Sequence, residues 1–367
     1  MSTIPESDRV GEGMNIPLQW GFLLPLGLPP LVVWSVTVGG VWSFAAVAVV
    51  FGLVPVLDLL LGRDTRNPAS DAESAELESR FYYRAILYAW VPLQLALLAW
   101  AVWQAGQGLD ALSFAGLLLS VGVVTGGIGI TVAHELGHKR SEHERFLARL
   151  LLITVAYLQF YVEHNRGHHA RVATPEDPAT ARLGESFFRF LPRTVIGGTR
   201  SAWHFECERM EKLGLPRYHP RNQMLWAVAG PLVLIAAAGW FAGPAGILLF
   251  AGQAAVAVIL LELVNYIEHY GLERRAREGG GYEKVTIHHS WNASQRLTNW
   301  FLFNLQRHSH HHAHALTRYQ ALRHFDESPQ LPAGYAGMVL LALVPPLWRR
   351  IMDPRAECYR REVLGIE

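Results

Sequence analysis

Residues 116–140 read GLLLSVGVVTGGIGITVAHELGHKR, an apolar run that ends in two histidines and two basic residues. A helix needs about 20 mainly apolar residues to cross a hydrocarbon core of about 30 Å. Such a helix would bring His134 and His138 to the membrane surface. This stretch therefore predicts an all-α integral membrane protein that carries histidines where a span ends.

The composition of the whole chain agrees with a membrane protein. Of its 367 residues, 51% are hydrophobic and only 17% are charged, values that suit a polytopic protein with one sizeable cytosolic part. The net charge of +1 gives no reason to expect nucleic-acid binding. Two cysteines, Cys207 and Cys358, cannot build a disulfide framework or a C-x-x-C metal site. The 17 histidines stand out, because most fall in a few tight clusters.

Apolar segments of membrane-spanning length divide the chain. A window of about nineteen residues predicts six transmembrane helices, at about 18–38, 41–61, 82–104, 111–133, 224–243 and 245–267. The run FLARLLLITVAYLQFYV from Phe146 is shorter and carries Arg149, which predicts a buried or interfacial helix. Residues 1–367 are then one membrane domain, with cytosolic catalytic regions at 134–223 and 268–367 that form a histidine-bearing cap.

The distribution of basic residues predicts the orientation. Segment 134–223 holds 14 Lys and Arg residues and the tail after Leu272 holds 13, whereas the loops near Gly39, 105–110 and 241–244 hold none. Basic loops stay in the cytoplasm, so six spans place both chain ends on the cytosolic side of an inner membrane. All histidine clusters then share that face, as a common metal site requires.

The histidine clusters repeat one spacing. They are HELGHK (His134, His138), EHNRGHH (His164, His168, His169), LQRHSHHH (His308, His311, His312) and NYIEHYGL (His269). Each of the first three contains an i, i+4 pair, which on a helix places two imidazoles on one face and predicts that the pair chelates one ion. The third histidine of a cluster would reach a second ion. Nine nitrogen ligands exceed the needs of one tetrahedral zinc and suit two metals with open positions, and iron makes oxygen chemistry possible.

Three glutamates adjoin candidate ligands. Glu135, Glu163 and Glu268 are predicted catalytic carboxylates, which would accept an imidazole N–H, offset metal charge or ligate directly. The alternative is a solvated or helix-terminal charge. His288 and His289 fall outside the repeated spacing and are the first candidates for a missed ligand.

In order and spacing, these four motifs resemble the signature motifs of the membrane alkane 1-monooxygenases, within the membrane fatty-acid desaturase and hydroxylase superfamily. DPATARLGES at 177–186 is also similar, and the resemblance runs from about Val56 to Arg355. It implies six membrane helices, two iron ions held by the nine histidines, and hydroxylation of the terminal methyl of medium- to long-chain n-alkanes with O₂. It also implies rubredoxin, with its reductase, as electron donor. His310 occupies a variable motif position and is excluded.

An alkane has no polar group, so it must be held by shape in an apolar channel entered from the lipid. Val50 is expected to line that channel. Small residues of the second and fourth spans either leave room for the chain or serve close helix packing; they are Ala45, Ala46, Ala48, Gly52, Gly122, Gly126, Gly127 and Gly129.

The electrons must come from a separate protein, because the sequence shows no flavin, NAD or iron–sulfur motif. Basic residues near the clusters are expected to steer an acidic carrier, or they follow the positive-inside rule alone; they are Lys139, Arg140, Arg166 and Arg171.

Other functions fit the sequence less well. HELGH satisfies the H-E-x-x-H pattern of a zinc protease, with Glu135 as general base, but spans five and six lack the aspartate that such an intramembrane enzyme needs. A metal transporter predicts ionisable residues at mid-membrane depth, whereas Arg84, Asp58 and Glu262 lie near span ends. A desaturase, fatty-acid hydroxylase or aromatic-methyl monooxygenase is the more serious alternative.

Overall fold

A computed structural model describes residues 18–366 and is helical apart from isolated β-bridges, so the all-α prediction is confirmed. We number the helices in chain order as α1 (Gln19–Val38), α2 (Gly40–Leu61), α3 (Asp71–Ser79), α4 (Phe81–Ala105), α5 (Ala111–Gly137), α6 (Glu142–Thr154), α7 (159–171), α8 (Phe187–Lys212), α9 (Gln223–His269), α10 (Arg296–Phe301), α11 (His308–Ala313), α12 (Tyr335–Ala342) and α13 (Pro345–Tyr359). Within residues 18–366, five helices are long and apolar enough to cross a membrane: α1, α2, α4, α5 and α9.

Helix α9 contains both of the last two predicted spans. It has 47 residues and is interrupted at Gly243, whose φ of 61° and ψ of −150° are not helical. The chain folds back there, since a Cβ at Gly246 would lie 2.2 Å from the carbonyl oxygen of Ala238. In a straight helix these two residues would be about 12 Å apart along the axis. The positive φ at Gly243 is a conformation that glycine adopts without steric cost.

The apolar run from Phe146 forms part of α6 and α7, joined by a tight turn in which Ala156 has a φ of 53°. The broken end of α6 is held by two buried glutamines. The Thr154 carbonyl accepts a hydrogen bond from Gln253 Nε2 at 2.9 Å, and the Thr154 hydroxyl accepts one from Gln94 Nε2 at 2.8 Å. Non-helical backbone is tolerated among membrane helices where protein groups satisfy it. The predicted buried or interfacial helix is therefore divided between two helices, and its residues after Phe146 are buried or half-buried.

Two apolar cores hold the helices together. The larger core joins α1, α4, α5, α6 and the middle of α9. The second packs Phe187 and Phe190 of α8 against Tyr266 near the end of α9 and Trp348 of α13. Large aromatic side chains bury much apolar area. The histidine-bearing ends of α5 and α9 are therefore held in place by tightly packed side chains.

Candidate metal centre

The nine predicted ligands converge from α5, α7, α9 and α11 into two buried groups. The first histidine group is His134, His138, His164, His169 and His311, and the second is His168, His269, His308 and His312. Within each group the ligand nitrogens lie within 4.8 Å of one another. The Nε2 atoms of His138 and His164 are 3.0 Å apart, and those of His308 and His312 are 2.9 Å apart. Adjacent nitrogens bound to one ion at about 2.1 Å would be separated by about 3 Å, so each group suits one ion.

A π-helical turn over His164–His168 decides how the second cluster divides. A π turn closes i→i+5 instead of i→i+4, so His164 faces His169, with 3.1 Å between their Nε2 atoms. His168 is turned toward the second histidine group. The i, i+4 prediction therefore fails for His164 and His168. It agrees with the structure for His134 with His138 and for His308 with His312.

The imidazoles are in the protonation state that binds metals. Burial away from water lowers the pKa of the clustered histidines outside the spanning helices well below the usual value; they are His138, His164, His169, His308, His311 and His312. Neutral imidazole is the ligating form. The side chains are therefore prepared to bind a cation without first losing a proton.

Two of the ligands are oriented through their Nδ1 atoms. His168 Nδ1 donates to Asp177 Oδ2 at 2.8 Å, and His269 Nδ1 lies 3.4 Å from the carbonyl oxygen of His289. Because a carboxylate only accepts, His168 Nδ1 carries the hydrogen and leaves Nε2 for a metal. His269 Nδ1 also lies 3.4 Å from the Ser290 hydroxyl, which can donate or accept. Asp177 also accepts from the Thr180 hydroxyl at 2.6 Å. Burial tends to raise the pKa of the Asp177 carboxyl, but the interaction with His168 holds it at about 2.

Asp177 had no role in the sequence analysis, although it opens the family-like stretch DPATARLGES. Its position after a histidine cluster is the sequence feature that could have pointed to it. His289 acts on His269 through its backbone carbonyl, while His288 Nδ1 lies 2.7 Å from the Tyr359 hydroxyl. Neither residue joins the two groups found in residues 18–366.

The three predicted glutamates occupy different surroundings. Glu268 Oε2 lies 3.1 Å from His308 Nε2, against the second histidine group. Glu163 pairs with Arg171 at 2.6 Å. Glu135 pairs with buried Lys139 at 2.9 Å. Of the three carboxylates, Glu268 is thus the one placed against a ligand atom of a histidine group.

The donor set fits metal ions. His168 Nε2 is buried and has no hydrogen-bond partner among residues 18–366. An unpaired buried polar atom is costly unless something else binds it. Glu268 would add one carboxylate oxygen to the four nitrogens of the second histidine group.

An apolar cavity ends on both histidine groups. His134 and His164 of the first group and His308 of the second lie at one end. Val50 lines the cavity, as expected, and Gly127 borders it with open space beside its Cα. The cavity also touches π-helical turns in α2 (Val49–Leu53) and α5 (Thr125–Gly129).

Gly122 and Gly129 of α5 serve packing instead. A Cβ at Gly122 would meet Val256 at 2.6 Å, and one at Gly129 would meet Gln94 at 2.0 Å. In α5 the two expectations therefore hold at different positions.

The basic residues near the site are mostly engaged in ion pairs. Lys139 is 4% exposed and pairs with Glu135, so it cannot steer a carrier. Arg171 pairs with Glu163, and Arg166 pairs with Glu206. Arg140 is exposed.

Known proteins resemble this chain over most of its length. Residues 110–342 match the family model described as fatty acid desaturase. The chain is 47% identical to alkane 1-monooxygenase 2 of Pseudomonas aeruginosa over 93% of the chain and 92% of that protein. It is 48% identical to alkane 1-monooxygenase 1 of the same organism, over 87% and 84%. A xylene/toluene monooxygenase hydroxylase component of Pseudomonas putida is 29% identical, over 84% and 81%.

Proposed function

Because this chain belongs to the alkane 1-monooxygenase family, within the fatty acid desaturase superfamily, we propose that it hydroxylates the terminal methyl of medium- to long-chain n-alkanes to 1-alkanols. It is an integral membrane enzyme. The observation that carries the proposal is the apolar cavity that ends on both histidine groups. A chain without polar groups can bind there by shape, with one end against the metal ligands.

Iron is the metal we assign to both histidine groups. Imidazole binds several divalent metals, but oxygen insertion into an unactivated C–H bond requires a redox-active one. Two bound irons would supply the activation of O₂. The residues of this chain would orient the ligands: Asp177 sets the tautomer of His168, and the His289 carbonyl lies beside Nδ1 of His269. Glu268 would add a carboxylate beside the second histidine group.

The cavity walls position the substrate. Phe160 lies against His164, with ring centroids 4.7 Å apart, and both border the cavity. Its apolar lining excludes water from the end where the methyl group would lie. An alkane in this cavity has one reachable carbon end, which supports terminal hydroxylation.

The fold-back at Gly243 supports six spans. A helix of 47 residues is about 70 Å long, more than twice the hydrocarbon thickness, so α9 crosses the membrane twice. With the positive-inside distribution, the histidine-bearing face and both chain ends are then cytosolic in the inner membrane.

Reduced rubredoxin, regenerated by its reductase, is the electron donor we propose. The support is the family resemblance together with the absence of any carrier motif in the sequence. Lys139, Arg166 and Arg171 already have carboxylate partners, so docking must rely on other groups of the cytosolic face.

The rival functions have weaker support. In a zinc protease Glu135 would activate water, yet here it pairs with Lys139, and His134 and His138 share the first histidine group with three further histidines. The xylene/toluene monooxygenase hydroxylase component is 29% identical to this chain, whereas alkane 1-monooxygenase 2 is 47% identical.

The experiment is a product analysis. Purified iron-loaded protein, rubredoxin, its reductase and NADH are incubated with n-alkanes of graded length, beside an identical reaction without rubredoxin. We expect 1-alkanols in the complete mixture alone. Unsaturated products would indicate a desaturase. An equal yield of 1-alkanol without rubredoxin would refute rubredoxin as the electron donor.

A further inference from the structure

A second, smaller cavity lies beside the apolar cavity. Phe160, His164 and Asn265 border both cavities. We call the smaller one the polar chamber, because its lining includes Tyr157, Glu163, His168, Thr194 and Glu262. It touches His164 of the first histidine group and His168 of the second. Nothing in the proposed function so far uses it.

Glu262 closes the inner end of the polar chamber. It is 2% exposed and lies in α9, seven residues before His269, which places it about 10 Å deeper along the helix. A carboxylate within a spanning helix is costly and usually functional. The sequence flagged it as an ionisable residue within a predicted span.

Three donors hold the Glu262 carboxylate. The Tyr157 hydroxyl donates to Oε1 at 2.7 Å, and the Thr194 hydroxyl and the Asn265 amide donate to Oε2 at 2.9 and 3.2 Å. A carboxylate has about four acceptor positions. Three are used, so one position on Oε1 is left for a proton, and the Glu262 side chain lines the chamber.

The polar chamber has a partly exposed border, which we take as its mouth. Gly198 of α8 borders the chamber and is partly exposed. Glu163 forms the neighbouring wall, and its partner Arg171 has a side chain that is 26% exposed. The chamber has room for about two waters, enough for a short relay between Glu262 and the other residues that line it.

The proposed reaction needs such a path. An alkane and O₂ become an alkanol and water when two electrons and two protons are added. The electron carrier supplies electrons, whereas the protons must cross from the cytosol to a site enclosed by apolar side chains.

We propose that Glu262 and the polar chamber deliver these protons: Glu262 takes a proton from chamber water on Oε1 and returns it to water beside His164 and His168. This inference rests on the proposed function. In this proposal Glu262 is a proton-transfer residue. If Glu262 were purely structural, it would only hold the α6–α7 turn against α8 through its hydrogen bonds with Tyr157 and Thr194.

Three variants separate these roles. Glu262→Gln keeps the shape of the side chain and removes the carboxylate that would carry the proton. Gly198→Leu plugs the mouth and leaves Glu262 intact; a Cβ there would lie 3.7 Å from Glu163 Cγ, an ordinary contact. Thr199→Leu is the matched control, because Thr199 lies next in α8 and lines an outer groove.

In turnover with rubredoxin, we expect Glu262→Gln to lower alkanol formation by about 100-fold with full iron content. Gly198→Leu should lower the rate and raise the solvent deuterium isotope effect, while Thr199→Leu matches the wild type. Loss of iron in Glu262→Gln, or a wild-type rate in both chamber variants, would overturn the proposal. A wild-type protein that forms no alkanol in this assay would refute the proposed function instead.

Infrared spectroscopy of the metal-free protein gives a readout that does not depend on turnover. We expect a protonated carboxyl band that Glu262→Gln removes and that shifts in D₂O more slowly in Gly198→Leu than in Thr199→Leu. Equal exchange in the two α8 variants, or no band assignable to Glu262, would overturn the proposal.

Discussion

Single residues decide which imidazoles share an ion. His138 lies in the first histidine group together with its i, i+4 partner. His168 lies in the second histidine group, apart from its i, i+4 partner. His310 stands within the same motif as His308 but outside both groups; its Nδ1 accepts from the Arg323 N–H at 3.0 Å. The three residues therefore form a natural set for testing the ligand assignment.

We expect His138→Ala and His168→Ala each to lose activity and to lower the iron content toward one ion per chain, because each removes a ligand from a different group. His310→Ala is the control and should keep both ions. Iron analysis combined with Mössbauer spectroscopy would show which ion is lost. Full occupancy in both ligand variants would contradict the assignment.

Asp177→Asn tests the orientation of His168. The amide can present its N–H to the imidazole and favour the wrong tautomer, so we expect metal affinity to fall by about 10- to 100-fold. Competition with a chelator measures the change. Asp326→Asn is a suitable control, since Asp326 pairs with His324, which belongs to neither group. Unchanged affinity would show that Asp177 does not set the ligand.

Glu135→Gln should keep most of the iron, because the Glu135 carboxylate faces Lys139. The change leaves Lys139 with neutral acceptors only, among them the Leu316 and Thr317 carbonyls, so we expect a loss of up to about 3 kcal/mol of unfolding free energy. A lower thermal midpoint with both irons present is the expected result, and Lys139→Met added to Glu135→Gln should recover part of the loss. Loss of one iron equivalent would instead make Glu135 a ligand.

At the scale of helices, π-helical turns shape the site. One lies in α7 at His164–His168 and others lie in α2 and α5 where those helices border the apolar cavity. The extra residue of each turn changes which side chains face inward. In α2 the turn contains Val50.

We predict that Val50→Trp shortens the accepted alkane. The indole would fill part of the apolar cavity away from the histidines, so short alkanes should react and long ones should not. Val56→Trp is the control in the same helix, because Val56 is 55% exposed and borders no part of the cavity. Product yields across alkane lengths give the readout, and a uniform loss would indicate disturbed packing.

At the scale of the whole molecule, the topology can be tested with single cysteines in a background where Cys207 and Cys358 are serine. Six spans predict that cysteines at Gln107 and Phe241 react with an impermeant maleimide from outside the cell. A cysteine at Arg277 should react only after the inner face is opened. Labelling of the cysteine at position 241 from the inner face would refute the proposal that α9 crosses the membrane twice.

The sequence alone determined the helical class, the apolar segments and the nine histidines. These features depend on local composition and short spacings. It could not show that His164 pairs with His169, because nothing in the local residue pattern distinguishes a π turn from an ordinary helical turn. It could not find the Asp177 contact with His168 or the environment of Glu262, since these depend on distant segments brought together. Only the tertiary structure separated Glu268 from Glu135: both adjoin a histidine in sequence, but packing turned one toward the ligands and the other toward Lys139.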